Sequence, residues 1–324
     1  MKTRKKILVM ILVLGGVGFF GIKMRKFRPL IIAFALILIS TIISAQEITA
    51  DLGYFPNLEF NDKIVGSNTD DNGNTFEKIV IDGFDSKIPF YNIKPKEQKE
   101  GKYVILLHGI TGNKDNWVNP TTSLSEKYVK LKDSLLTLGY SVIIPDAKYH
   151  GERSYQGNFA SPLTFFSLQD LQKVYNLYTS SVKDIRIIID YIESKSTSKP
   201  QIFDVIGYSM GGQMAILLNS VDERLNRVVV CVAPLDTQKG SKRIGMNEDS
   251  AKSLELLSPK NYAMLQKAPI TLLMGTKDGW YTKGEAQDFF DKITIKDKTL
   301  KFYESGHYLP DEFITDTIKG IKKK

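Results

Sequence analysis

The chain of 324 residues has one cysteine, three histidines, two tryptophans and, over its first 45 residues, no acidic side chain. Each shortage excludes something. A lone cysteine, Cys231, rules out an intramolecular disulfide and every metal site built on several thiolates. It stands in "RVVVCVAP", where a thiol reads as a small buried hydrophobe. Three histidines, His108, His150 and His307, leave three candidates for any general base. No internal repeat and no low-complexity tract interrupts the chain, so solenoids and disordered tails are set aside.

The missing acids at the N-terminus explain the charge. Formal net charge is +8, from 44 basic and 36 acidic residues. Lys2, Arg4, Lys5, Lys6, Lys23, Arg25, Lys26 and Arg28 precede residue 46; removing those eight from 44 leaves 36 basic against 36 acidic. The body is formally neutral and gives no support to nucleic-acid binding. The basic signal flanks two apolar runs, Ile7 to Ile22 and Pro29 to Ile43, each shorter than the roughly 20 residues that span a bilayer. A hairpin of both would put "KMRKFR" outside, against the positive-inside rule. The second run alone has the parts of a secretory signal: "MRKFR" from Met24, a 15-residue apolar core, and "ISAQE" with Ala45 at the cut. Residues 1–45 are thus read as a targeting segment, with translation starting at Met1 or Met24. The expected location is the periplasm or the exterior. Ile43 is large for its place before the cut, which keeps an uncleaved membrane anchor as the alternative; membrane contact is expected only through this segment.

From residue 46 the pattern is that of one domain. "EKIVID" and "KIPFYNIK", joined by "GFDS", read as an antiparallel hairpin. From Lys102, continuous apolar runs of four to seven residues alternate with longer helical stretches, as in strands buried on both faces and joined through crossover helices. The predicted fold class is α/β: a doubly wound, mostly parallel sheet of eight strands, with the N-terminal hairpin and a small cap insertion at about 237–267. "NTDDNGN", Asn68 to Asn74, resembles half a calcium loop, but Ile79 stands where the closing glutamate belongs, so it reads as a polar hairpin turn.

Ligands bind at the carboxyl ends of the strands of such sheets. There the chain places "HGITG", "PDAKYHGERS", "GYSMGG", "GTKDGW" and "ESGHYLP". "GYSMGG" follows the strand "FDVI" and precedes "QMAILL", the strand-to-helix context in which G-x-S-x-G raises a serine on a sharp turn. Ser209 therefore reads as a nucleophile. Only His307 follows it, as the order serine, acid, histidine requires, so His307 reads as its base. Asp278, after "ITLLMG", is the predicted acid, and Asp236, one strand earlier, the fallback. The backbone N–H groups of Met210 and Ile110 are the candidate oxyanion donors. His108 and His150 read as braces of their loops. Among the aromatics near strand ends, Trp117, Phe159, Trp280 and Tyr308 are the candidate pocket residues.

These motifs together resemble the α/β-hydrolase superfamily from about Glu77 to the C-terminus. "LLHGITG", "LLTLGYSVIIPDAKYHGERS", "DVIGYSMGG", "GTKD" and "SGHYLP" follow the family's order, and the chain looks most like the serine esterase branch near dienelactone hydrolases and prolyl-oligopeptidase-type catalytic domains. The resemblance implies Ser209 as nucleophile, His307 as base, Asp278 as acid, and Ile110 and Met210 as oxyanion donors. Dienelactone hydrolases proper use cysteine where Ser209 stands, which favours esterase or peptidase chemistry, and no propeller domain is present to gate oligopeptides. The expected function is a serine hydrolase that cleaves small or medium acyl esters through an acyl-enzyme, carboxylesterase- or lipase-like, with neither metal nor organic cofactor. A peptidase or amidase using the same triad is the enzymatic alternative, and a catalytically silent binding protein the alternative of another class.

Overall fold

A computed structural model describes residues 49–56, 59–99, 101–196 and 201–322; the targeting segment and Ala45 lie outside them. The strands in chain order are β1 (Lys63–Thr69), β2 (Thr75–Asp82), β3 (Lys87–Lys94), β4 (Lys102–Leu107), β5 (Ser141–Pro145), β6 (Ile202–Tyr208), β7 (Leu225–Cys231), β8 (Ile270–Gly275) and β9 (Lys298–Tyr303). They form one sheet in the order β1-β2-β3-β5-β4-β6-β7-β8-β9. The first three strands are antiparallel, β3 meets β5 antiparallel, and all pairings from β5 through β4 to β9 are parallel.

The sheet therefore has nine strands where eight were expected. The additional strand is β1, "KIVGSNT", exposed along its whole length. Its pairing with β2 shifts register between Ile64 and Gly66, and an edge strand with neither face buried carries no apolar alternation to betray it. The turn that joins β1 to β2 is the polar stretch after Thr69, where Asp70 accepts hydrogen bonds from the backbone N–H groups of Asn72 and Asn74.

The central strands follow from their composition. Val104, Ile105, Leu106 and Leu107 of β4, and Val228, Val229 and Val230 of β7, are buried, and each such side chain contributes about 1.5–3 kcal/mol on leaving water. Helices cover the sheet; Leu171–Lys195, the longest among the described residues at 25 residues, is amphipathic. The segment between β7 and β8 holds the short helices Thr237–Arg243 and Glu248–Ser253 and two 3-10 turns, Glu255–Leu257 and Pro259–Leu265. Cys231, at the end of β7, is buried, and burial pushes its thiol up to about 12.

A fully buried acid lies inside the sheet. Asp204 of β6 is fully buried; its Oδ1 accepts from Asn226 Nδ2 at 2.7 Å, and its Oδ2 has no partner among the described residues. Burial pushes its pKa from 3.8 up to about 6. The folded chain thus holds this proton more tightly than the unfolded chain, so the contribution to stability is full below the unfolded value and is lost as pH rises through the folded one. That difference corresponds to about 3 kcal/mol at most. Asp204→Asn is expected to stabilise the fold by about 1–3 kcal/mol at pH 8, the gain shrinking toward zero between pH 6 and pH 4, as read by urea denaturation. An equal gain at both ends of that range would refute the buried charge as its source.

Candidate active site

Ser209 is held by the turn from β6 into the helix Met210–Val221, with φ +55° and ψ −117°, a conformation that a residue with a side chain keeps only where its surroundings over-determine it. The surroundings are backbone. A Cβ on Gly207 would lie 2.1 Å from the Gly211 carbonyl oxygen, and one on Gly211 would lie 2.3 Å from that of Leu107. Glycine at both positions is thus a steric requirement of the turn. The Ser209 N–H donates to the Cys231 carbonyl at 2.8 Å, tying the turn to the neighbouring strand.

Two further strand-end loops reach the hydroxyl. His307 Nε2 lies 2.9 Å from Ser209 Oγ, and His307 Nδ1 lies 2.8 Å from Asp278 Oδ2. The Asp278 side chain is fully shielded from solvent, and its Oδ1 accepts from the Trp280 N–H at 2.9 Å. The two loops are joined by their backbones: Thr276 N–H donates to the Tyr303 carbonyl and Lys277 N–H to that of Ser305. Tyr208, which precedes the serine, fixes the far side of the histidine loop, donating to the His307 carbonyl at 2.7 Å and accepting from the Leu309 N–H at 3.1 Å. Asp236, the fallback acid, is occupied elsewhere. Its Oδ1 caps the helix Thr237–Arg243 at the Lys239 N–H and its Oδ2 pairs with Lys260 at 2.7 Å.

The N–H groups of Met210 and Ile110 have no acceptor among the described residues. Met210 opens its helix, where the first N–H groups lack intrahelical partners and the dipole favours negative charge. Ile110 is held by the other two histidines. His108 Nδ1 donates to the Gly109 carbonyl at 2.8 Å, the carbonyl of the same peptide unit that carries the Ile110 N–H. His108 Nε2 accepts from the Ala147 N–H, which fixes the neutral tautomer, and burial pushes the ring's pKa down to about 3. His150 lies between the carbonyls of Ile110 at 2.8 Å and Lys148 at 2.9 Å; burial lowers its pKa, and a neutral ring donates to one carbonyl at a time. Both histidines brace the loop that carries the donor.

Ser209 lies where two hollows meet. A narrow cleft with about 40 Å³ of free volume is bounded by Ile110, Leu163, Phe166, Tyr178, Met210, Gln213, Ser241, Ile244 and Trp280. A wider, more polar one of about 380 Å³ is bounded by Thr111, Asn116, Thr122, Ser125, Tyr128, His307, Tyr308 and Trp280. Trp280 and Tyr308 therefore stand where the sequence placed them. Trp117 does not: it is buried and stacked on Tyr128, ring centroids 4.3 Å apart, one layer behind the wall. Phe159 does not either, because left-handed backbone at Asn158 and Phe159 turns its ring outward, 77% exposed. Its place is taken by Leu163 and Phe166, from the Tyr- and Phe-rich segment 148–168. Gln213 and Ser241 carried no sequence signal. Among the described residues no group of acidic, histidine and cysteine side chains could hold a metal ion.

Comparison with known proteins agrees with this architecture. The model of the dienelactone hydrolase family matches residues 88–307. YtaP of Bacillus subtilis (strain 168), which carries a provisional hydrolase name, is 30% identical over 164 residues, 49% of this chain and 52% of that one; the match thus spans about half the length of that relative. Among solved structures, the Pyrococcus furiosus esterase Pf2001 is 20% identical with a TM-score of 0.57, over 76% of this chain and 92% of that one. An acetyl xylan esterase from Paenibacillus sp. R4 is 16% identical with a TM-score of 0.63, over 81% and 88%. At these identities the structures share the fold.

A fluorophosphonate reads the nucleophilicity of Ser209 without reference to any substrate. Asp278→Asn is expected to slow phosphonylation of Ser209 by on the order of 10³-fold or more, because the imidazole loses its tautomer and its counter-charge, whereas Asp236→Asn stays within about threefold. Equal slowing in the two variants would reassign the acid.

Proposed function

Because the chain belongs to the dienelactone hydrolase family, we propose that it is a serine hydrolase of carboxylic esters working through an acyl-enzyme. The observation that carries the reading is the continuous chain from Asp278 Oδ2 through His307 to Ser209 Oγ, both contacts under 3 Å. Ser209 Oγ attacks the ester carbonyl while its proton passes to His307 Nε2. The imidazolium is stabilised by the Asp278 carboxylate. Negative charge collects on the former carbonyl oxygen, toward which the Ile110 and Met210 N–H groups donate. Collapse expels the alcohol with the proton from His307, leaving Ser209 acylated. A water then gives its proton to His307, attacks the acyl carbon, and the same steps in reverse release the acid.

Geometry also divides the substrate. The leaving oxygen has to come within hydrogen-bond reach of His307 Nε2, and His307 borders only the wider hollow. The alcohol part is accordingly assigned to that hollow, and the acyl part to the narrow cleft beside Ile110 and Met210. A small acyl group fits a cleft of this size better than a long chain. Export by the segment from Met24 to Ala45 belongs to the same proposal; an N-terminus at Gln46 in protein recovered outside the cytoplasm is its test.

With p-nitrophenyl esters from acetate to decanoate, kcat/KM is expected to peak at two to four acyl carbons and to fall by at least about tenfold by eight. Ser209→Ala should reduce turnover by on the order of 10⁴-fold or more. A folded wild type inert toward every ester would overturn the reading.

A further inference from the structure

The wall of the narrow cleft is not wholly apolar. Ser241, in the helix Thr237–Arg243, is 2% exposed and borders the cleft, and its Oγ has no hydrogen-bond partner among the described residues. A buried helical serine ordinarily returns its hydroxyl to the carbonyl one turn back; here it does not, although burying an unpaired hydroxyl is unfavourable. Gln213, 3% exposed, borders the same cleft. Its Oε1 accepts from the Tyr178 hydroxyl at 2.9 Å, and its Nε2 gives one N–H to Thr237 Oγ1 at a long 3.4 Å. A primary amide has a second N–H, and that one meets no acceptor among the described residues. Two buried residues with a donor to spare therefore border a cleft whose remaining walls include Leu163, Phe166 and Ile244.

We propose that this cleft selects acyl groups that carry a neutral oxygen acceptor, an ether or carbonyl oxygen, a few atoms beyond the ester carbonyl, held by Ser241 Oγ–H and the free Gln213 N–H. The inference rests on the esterase reading and adds the acyl specificity of that site. No charged side chain borders the cleft, which excludes a carboxylate as the recognised group, since a buried anion would lack a counter-charge. The unpaired hydroxyl also distinguishes the site from an alkyl channel, in which it would serve nothing.

The test compares isosteres that differ by one CH₂-to-oxygen exchange: p-nitrophenyl methoxyacetate against butanoate, and 3-methoxypropanoate against pentanoate. Each kcat/KM is divided by the ester's own hydroxide-catalysed rate, which removes the inductive effect of oxygen. The wild type is expected to favour the ether in at least one pair by about five- to tenfold, the worth of one buried hydrogen bond. In Ser241→Ala the preference should fall at least threefold in the same pair; the ratio is taken within each protein, so any general loss of turnover cancels, and alanine is well tolerated in a helix. A wild-type ratio near one in both pairs, or a preference untouched by Ser241→Ala, overturns the acyl-site inference while leaving esterase activity intact. Failure of the wild type to hydrolyse p-nitrophenyl acetate overturns the esterase reading, and this inference with it.

Discussion

The site depends on a contact between backbones. Around Ser209 the chain leaves β6 and enters a helix so abruptly that neither Gly207 nor Gly211 has room for a methyl group. The serine is held at positive φ by this crowding and by the bond from its N–H to Cys231. Strain of this kind is kept only where the surrounding fold is rigid, and here the surroundings are the buried β4, β6 and β7. The same turn presents the hydroxyl and leaves the Met210 N–H without a partner in the first turn of its helix. The Ser209 hydroxyl and the Met210 N–H therefore share one origin, and a displacement of the helix against β4 would move both.

The partners of the serine are less rigid in kind, being loops, and are held by hydrogen bonds rather than by close packing. Backbone bonds from Thr276 and Lys277 to the β9 side hold Asp278 against His307, and Tyr208 reaches from the nucleophile's own strand to close the other side. Tyr208 thus couples the position of the histidine to that of the serine. The Ile110 N–H is set differently again, by His108 acting on its peptide unit and His150 on the next. All three histidines of the chain consequently serve one site, one at the hydroxyl and two behind the Ile110 peptide.

How much of this was legible depends on where the information resides. Strands buried on both faces announce themselves as unbroken apolar runs, so β4 to β8 could be read; β1, exposed throughout, could not. Ser209, Asp278 and His307 could be singled out because strand ends and chain order constrain them; Asp236 also follows a strand end, but its carboxylate is taken up by the Lys239 N–H and Lys260. Trp117 and Phe159 show the limit. An aromatic residue at a strand end records that a ring is nearby, but the side it faces is decided by contacts distant in sequence, as for Trp117, or by two left-handed residues, as for Phe159. Ser241 and Gln213 were invisible for the same reason. A serine and a glutamine in helices look like surface positions until the sheet and the cap segment are folded over them.

The loops around Ile110 pose a final physical problem, since their backbone polar groups are buried without a strand to pair with. Asp146 solves it. Its carboxylate accepts from the Lys114 and Glu152 N–H groups and from Lys114 Nζ at 2.8 Å, while Arg153 donates to its carbonyl. Lys114 is fully buried and pairs with Glu152 as well. Desolvating such charges is expensive, and a buried pair of this type is weak evidence for stability as such. Its value lies in direction: a carboxylate that accepts backbone N–H groups from two loops fixes their mutual position in a way that apolar packing, which is non-directional, does not. The loop bearing the Ile110 N–H and the loop bearing His150 are thereby registered to each other through one side chain.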